Sequence, residues 1–98
     1  MTKILIIGGT AEAKNLHFRL QEKKLFTILS YAGLTESVDK EVKNIRVGGF
    51  GGPMGMSAFV KDEGITHILD ASHPFPKNIT VNSLRAAQLA KIEYLGFE

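Results

Sequence analysis

Hydrophobic positions along this chain form short continuous runs, separated by longer segments in which apolar residues recur at helical spacing. The runs predict five strands, over 3–7, 26–31, 45–47, 66–69 and 92–97. The longer segments predict three helices, over 11–24, 53–63 and 78–91, and the polar residues 32–44 are predicted to form a loop. The apolar faces of these helices are predicted to be, in order, Ala13, Leu16 and Leu20; Met56, Phe59 and Val60; and Ile79, Leu84, Ala87 and the stem of Lys91.

Strand and helix alternate throughout, which predicts a parallel sheet with right-handed crossovers. We therefore expect an α/β fold, with a doubly wound parallel sheet of about five strands in three α/β/α layers. The strand at 3–7 is apolar throughout, as is typical of a central strand covered on both faces. In such folds ligands bind at the carboxyl edge of the sheet, so the loops that follow the strands are the candidate site.

Composition narrows the class of protein. The chain has 98 residues, 44% of them hydrophobic, which predicts one small domain. Its net charge of +2, with basic and acidic residues interleaved, argues against nucleic acid as a partner. There is no cysteine to ligate a metal as thiolate, and the sequence shows no apolar run long enough to be a membrane span or a signal peptide. We expect a cytoplasmic protein without a metal, and interpret residues 1–98 as the front part of a longer protein because the last predicted strand has no helix after it.

The first predicted strand runs directly into a glycine turn and a helix. The segment Gly8-Gly9-Thr10-Ala11-Glu12-Ala13 resembles the dinucleotide fingerprint G-x-G-x-x-G/A, with Thr10 in place of the middle glycine. Small residues let the backbone approach a pyrophosphate, and the helix N-terminus presents free N–H groups to it. Thr10 is also a candidate N-cap. The alternative is a tight strand-to-helix turn that binds no ligand.

The end of the second predicted strand bears on which dinucleotide would bind. Many dinucleotide folds place a carboxylate there to bind the ribose 2′-OH, whereas this chain has Ser30, followed by a loop that contains Gly33. No carboxylate is present to repel a 2′-phosphate, and no arginine stands in the loop to attract one. NADPH and NADH both remain open as the cofactor.

Two further loops complete the candidate site. Gly48-Gly49-Phe50-Gly51-Gly52 permits close backbone contact with a ligand, and Phe50 is predicted to lie against a flat ring; the alternative is a surface loop. Asp70-Ala71-Ser72-His73-Pro74-Phe75 follows the fourth strand. Here His73 is a candidate proton donor or a substrate or cofactor contact, and the alternative is a loop histidine bonded to the backbone. Asp70 is either a ligand contact or a structural cap. His17 and His67 are interpreted as structural loop histidines bonded to the backbone.

These three segments, in this order and spacing, resemble the precorrin-6A reductase family of cobalamin biosynthesis, over essentially all 98 residues. The resemblance implies hydride transfer from NADPH or NADH to the tetrapyrrole precorrin-6A or its cobalt form. It also implies a second domain that this chain lacks, so that the chain alone is expected to be inactive. The family commonly has an arginine where this chain has Leu34, which weakens the case for a 2′-phosphate.

The resemblance assigns roles residue by residue. The cofactor-binding residues are Gly8, Gly9, Thr10, Glu12, Ser30, Gly33, Gly48, Gly49, Phe50 and Gly51. The substrate-binding residues are Asp70, Ser72, His73, Pro74 and Phe75, with His73 as the candidate catalytic residue. Two alternatives are another NAD(P)-dependent reductase or epimerase, and a non-catalytic nucleotide-binding module.

Overall fold

Eight elements make up the part of the chain that this computed structural model describes, residues 2–8, 11–31, 44–47, 50–71 and 77–96. The strands are β1 (Lys3–Ile7), β2 (Phe26–Tyr31), β3 (Ile45–Val47), β4 (His67–Asp70) and β5 (Glu93–Gly96). The helices are α1 (Ala11–Glu22), α2 (Gly52–Glu63) and α3 (Lys77–Ala90). Each predicted strand and helix is present, and its ends differ from the prediction by at most two residues.

The five strands form one parallel sheet in the order β3-β2-β1-β4-β5, so the predicted doubly wound α/β fold is confirmed. Strand β1 lies in the middle, and its last four residues are buried, as its apolar sequence predicted. Register aligns the strand ends: Ile7 pairs with Ser30 on one side and with Asp70 on the other. The residues that follow the three central strands therefore meet at one edge.

The two faces of β1 enter two separate hydrophobic clusters, because successive side chains of a strand point to opposite sides. Leu5 and Ile7 pack in one cluster with Met56 and Val60 of α2 and with Ala86 and Ala87 of α3. Ile4 and Ile6 pack in the other with Ala13 of α1 and Leu29 of β2. Helix α1 thus covers one face and α2 with α3 cover the other, which gives the predicted three layers.

Helix α3 departs from its predicted apolar face. Leu84 is 44% exposed, whereas Ala87 is buried as predicted and Ser83 and Ala86 face inward beside it. Lys91 lies beyond the helix end in a left-handed conformation, with φ of 57°, and is exposed, so its stem does not extend the inner face. The inner positions hold small residues because α3 packs closely against α2 as well as against the sheet, and Leu84 is turned outward as a consequence.

Helix ends follow local chemistry. Helix α2 ends at Gly64, which has φ of 69° and donates its N–H toward the carbonyl of Lys61, as predicted for a left-handed C-cap. Helix α1 ends two residues earlier than predicted, since Lys24 adopts φ of 63° and the N–H of Leu25 bonds back to the carbonyl of Leu20. None of the helices within the described residues is long and apolar enough to cross a membrane.

Candidate functional site

The strand order reverses between β1 and β4, so the carboxyl ends of these strands border the crevice where doubly wound folds bind ligands. Backbone hydrogen bonds continue across the sheet at that level. The N–H of Gly8 donates to the carbonyl of Ser30 at 3.0 Å, and the N–H of Ala71 donates to the carbonyl of Ile7 at 2.8 Å. Three predicted site residues, Gly8, Ser30 and Asp70, are therefore brought together across three adjacent strands.

Gly8 leaves strand β1 with φ of 142°, a conformation that side-chain-bearing residues rarely adopt. It is buried and stands directly at the crevice. Glu12, in the first turn of α1, is exposed and suits the positive end of that helix. A ligand that approaches Gly8 therefore meets backbone rather than a side chain.

Ser30 is 1% exposed, and no carboxylate occupies its position near the end of β2. It lies on the face of the sheet covered by α2 and α3, because it pairs with Ile7 and alternates with Leu29. The position therefore carries a small buried hydroxyl rather than an acidic side chain. Its predicted contact with a ribose remains a prediction.

Asp70 is 4% exposed at the end of β4, and Tyr94 of β5 donates its hydroxyl to Oδ2 of Asp70 at 2.7 Å. Burial, followed by this hydrogen bond and by the charge of Asp70, raises the pKa of Tyr94 well above its ordinary value. Tyr94 therefore stays a protonated donor. Sequence reasoning missed Tyr94, since its relation to Asp70 depends on the pairing of β4 with β5 and no local motif marks it.

The ring of Phe50 packs against two side chains of the protein. The guanidinium of Arg46 in β3 lies 3.8 Å from its centroid, and Phe59 of α2 meets it edge to face at 5.2 Å. Burial lowers the pKa of Arg46 from its ordinary value. The predicted contact of Phe50 with a flat ligand ring is not tested by these contacts.

Backbone geometry explains why two glycines follow Phe50. Gly51 and Gly52 have φ of 82° and 79°. A β-carbon placed on Gly55, in the first turn of α2, would overlap the backbone carbonyl of Phe50. Gly51 matches its prediction as a glycine-dependent turn position, whereas Gly55 was missed because it looks like an ordinary helix residue in the sequence.

The remaining predicted site residues lie outside the described residues and stay predictions. They are Gly9, Thr10, Gly33, Gly48, Gly49, Ser72, His73, Pro74 and Phe75.

The two described histidines have structural partners. His17 is fully buried and its Nδ1 lies 2.7 Å from the hydroxyl of Thr27; Nδ1 of His67 lies 2.7 Å from the hydroxyl of Thr66. They belong to α1 and β4 rather than to loops, which corrects that part of the prediction. Within the described residues, no group of three or more His, Asp or Glu side chains is placed to hold a metal.

Comparison with known proteins decides the family. The model of the family described as precorrin-6x reductase CbiJ/CobK matches residues 3–98. The chain belongs to this family. The recognition made on the three loop motifs is therefore confirmed.

Relatives show the extent of the match. Precorrin-6A reductase of Rhodobacter capsulatus is 35% identical over 98 residues, which cover 100% of this chain and 39% of the relative. Precorrin-6A reductase of a Sinorhizobium species is 45% identical over 87 residues, which cover 88% of this chain and 33% of the relative. The chain thus spans between a third and two fifths of the length of these precorrin-6A reductases.

Solved structures confirm the architecture. The structure titled CobK precorrin-6A reductase superposes with a TM-score of 0.92 at 35% identity, covering 100% of this chain and 39% of the other. RSP, a Rex-family repressor solved in complex with β-NADH, superposes with a TM-score of 0.65 at 9% identity, over 100% of this chain and 54% of the other. The second likeness shows a shared Rossmann-like fold and nothing more.

Proposed function

We propose that this chain is the cofactor-binding part of a cytoplasmic precorrin-6A reductase, which uses NADPH or NADH to reduce the tetrapyrrole precorrin-6A, or its cobalt form, in cobalamin biosynthesis. The observation that carries the proposal is the placement of Gly8 beside Asp70 at the reversal of strand order, in a chain 35% identical over its whole length to a precorrin-6A reductase. Residues 1–98 form one domain of the complete enzyme in this proposal.

The residues at the crevice fit a dinucleotide. Gly8 offers backbone without a side chain, helix α1 begins at Ala11, just after the glycine turn, and no carboxylate stands at Ser30. When bound, the cofactor would supply the hydride. The chain's own part is to hold the pyrophosphate at Gly8 and the start of α1, and to border the cleft with Asp70. Catalysis would then rest on orientation and exclusion of water rather than on a covalent nucleophile.

The first test is calorimetric titration of this chain with NADPH and with NADH. We expect binding of at least one, and a loss of about tenfold or more for Gly8→Ala, because φ of 142° strains alanine and its methyl group enters the pyrophosphate site. Gly64→Ala is the matched control, since it strains a left-handed glycine at the opposite edge of the sheet. Equal loss in both variants, or no binding by the wild-type chain, would refute the dinucleotide site.

Turnover requires the rest of the enzyme. In a chimera, this chain replaces the corresponding 39% of the Rhodobacter capsulatus enzyme. We expect oxidation of the reduced cofactor that depends on precorrin-6A. A chimera that folds and binds the nucleotide without turnover would favour the alternative of a nucleotide-binding module.

A further inference from the structure

The pair formed by Tyr94 and Asp70 lies on one particular side of the crevice. Where doubly wound folds bind a dinucleotide, the pyrophosphate sits after β1 and the adenosine ribose is bound at the end of β2. The other half of the dinucleotide, which carries the nicotinamide, must therefore lie toward β4 and β5. Asp70 ends β4 and Tyr94 belongs to β5, so the pair stands on the nicotinamide side.

Tyr94 reaches Asp70 along its own strand. It pairs with Ile68, while Asp70 pairs with Gly96, two residues further on. The Tyr94 ring packs on the cluster beneath α2 and α3 and extends past Gly96, where an added β-carbon would lie 3.9 Å from both Cε1 and the hydroxyl. At its end, the Tyr94 hydroxyl donates a 2.7 Å hydrogen bond to Oδ2 of Asp70. The carboxylate is thereby held in one orientation.

We infer that Tyr94 is a positioning residue that holds the Asp70 carboxylate where it favours the positively charged, oxidised nicotinamide over the neutral, reduced form. The inference rests on the proposed function. Asp70 is almost fully buried, and a buried negative charge acts on a nearby cation more strongly than an exposed one does. Reduced cofactor has no ring charge, so it gains nothing from that attraction.

The hydroxyl of Tyr94 contributes to keeping this charge in place. Without it, the buried carboxylate loses this donor and can turn away from its present orientation. Such a turn moves negative charge away from the nicotinamide side. Because the pKa of Tyr94 is raised above its ordinary value, its hydroxyl stays a protonated donor well into the alkaline range.

The test is the ratio of the dissociation constants for NADP⁺ and NADPH, measured by calorimetry on this chain. For Tyr94→Phe we expect NADP⁺ to bind about tenfold more weakly and NADPH to change by less than about twofold, from the usual strength of a hydrogen bond to a charged group. Asp70→Asn removes the charge itself and should shift the ratio in the same direction. It also serves as the second variant if Tyr94→Phe does not fold.

A purely structural role predicts a different result. Leu95→Ala weakens the same strand on its other face, at a residue 56% exposed, and should leave the ratio unchanged. If Tyr94→Phe and Asp70→Asn weaken both cofactors equally, or leave the ratio as in the wild-type chain, the inference is overturned while the proposed function stands. If the wild-type chain binds neither cofactor, the proposed function fails and the inference fails with it.

Discussion

Replacing Gly55 by alanine should destabilise the protein, although alanine is the better helix former. Gly55 lies in the first turn of α2. The backbone carbonyl of Phe50, which precedes the helix, lies close to it. The added methyl group would overlap the carbonyl oxygen of Phe50, which is backbone and cannot move by a change of rotamer. The backbone at Phe50 must therefore shift, which disturbs the contacts of its ring with Arg46 and Phe59.

The expected size of the effect comes from three contributions. Forcing a methyl group into a packed position costs about 1–3 kcal/mol. Displacing Phe50 loses the edge-to-face contact with Phe59, about 0.5–1.5 kcal/mol, and weakens the cation–π contact with Arg46, about 0.5–1 kcal/mol. Alanine returns about 1 kcal/mol through its helix propensity. We expect a net loss of about 2 kcal/mol, or a Tm lower by about 10 °C for a domain of this size.

Urea unfolding followed by circular dichroism measures this loss. The matched control is Gly96→Ala, because a β-carbon there would make ordinary contacts of 3.9 Å with Tyr94, and its effect should be within about 0.5 kcal/mol. A Gly55→Ala variant as stable as the wild-type chain, or more stable, would refute the close approach of Phe50 to the helix.

Three further variants test other contacts. Thr27→Val removes the hydroxyl beside buried His17 and should lower the free energy of unfolding in urea by about 1–2 kcal/mol; an unchanged value would contradict that bond. Thr66→Val removes a hydroxyl that accepts from the N–H of Lys3 and donates to its carbonyl, both at 3.0 Å, and should cost a similar amount, about 1–2 kcal/mol, by the same measurement. The raised pKa of Tyr94 contributes stability that is complete below the ordinary tyrosine pKa of about 10 and is lost as the pH rises above it. Alkaline unfolding curves should therefore fall less steeply for Tyr94→Phe than for the wild-type chain, and parallel curves would contradict the shift.

Local sequence was sufficient to locate the strands and helices. The run at 3–7 is apolar without interruption, so it predicted a central strand before any pairing was known. Gly64 marked the end of α2 because a left-handed C-cap depends on one residue and its immediate neighbours. The same is true of Gly8, whose place between a strand and a helix predicted a turn that only glycine adopts readily.

Errors arose where an assignment depended on a neighbouring element. Leu84 was assigned to the inner face of α3 from its spacing, but spacing defines a face and not which face is buried. The close packing of α3 against α2 placed the small residues Ser83 and Ala86 on the buried face, beside Ala87, which was predicted there. The importance of Gly55 is not visible in the sequence for a similar reason, since it depends on the close approach of the Phe50 carbonyl.

The sequence by itself determined the class of fold and the family, because both depend on patterns of residues that lie close together along the chain. The tertiary structure alone decided that Tyr94 donates to Asp70 and that Phe50 packs against Arg46 and Phe59. These contacts join residues of different strands and helices, and the register and packing of the sheet set their distances. Local propensities carry no information about the register or the packing.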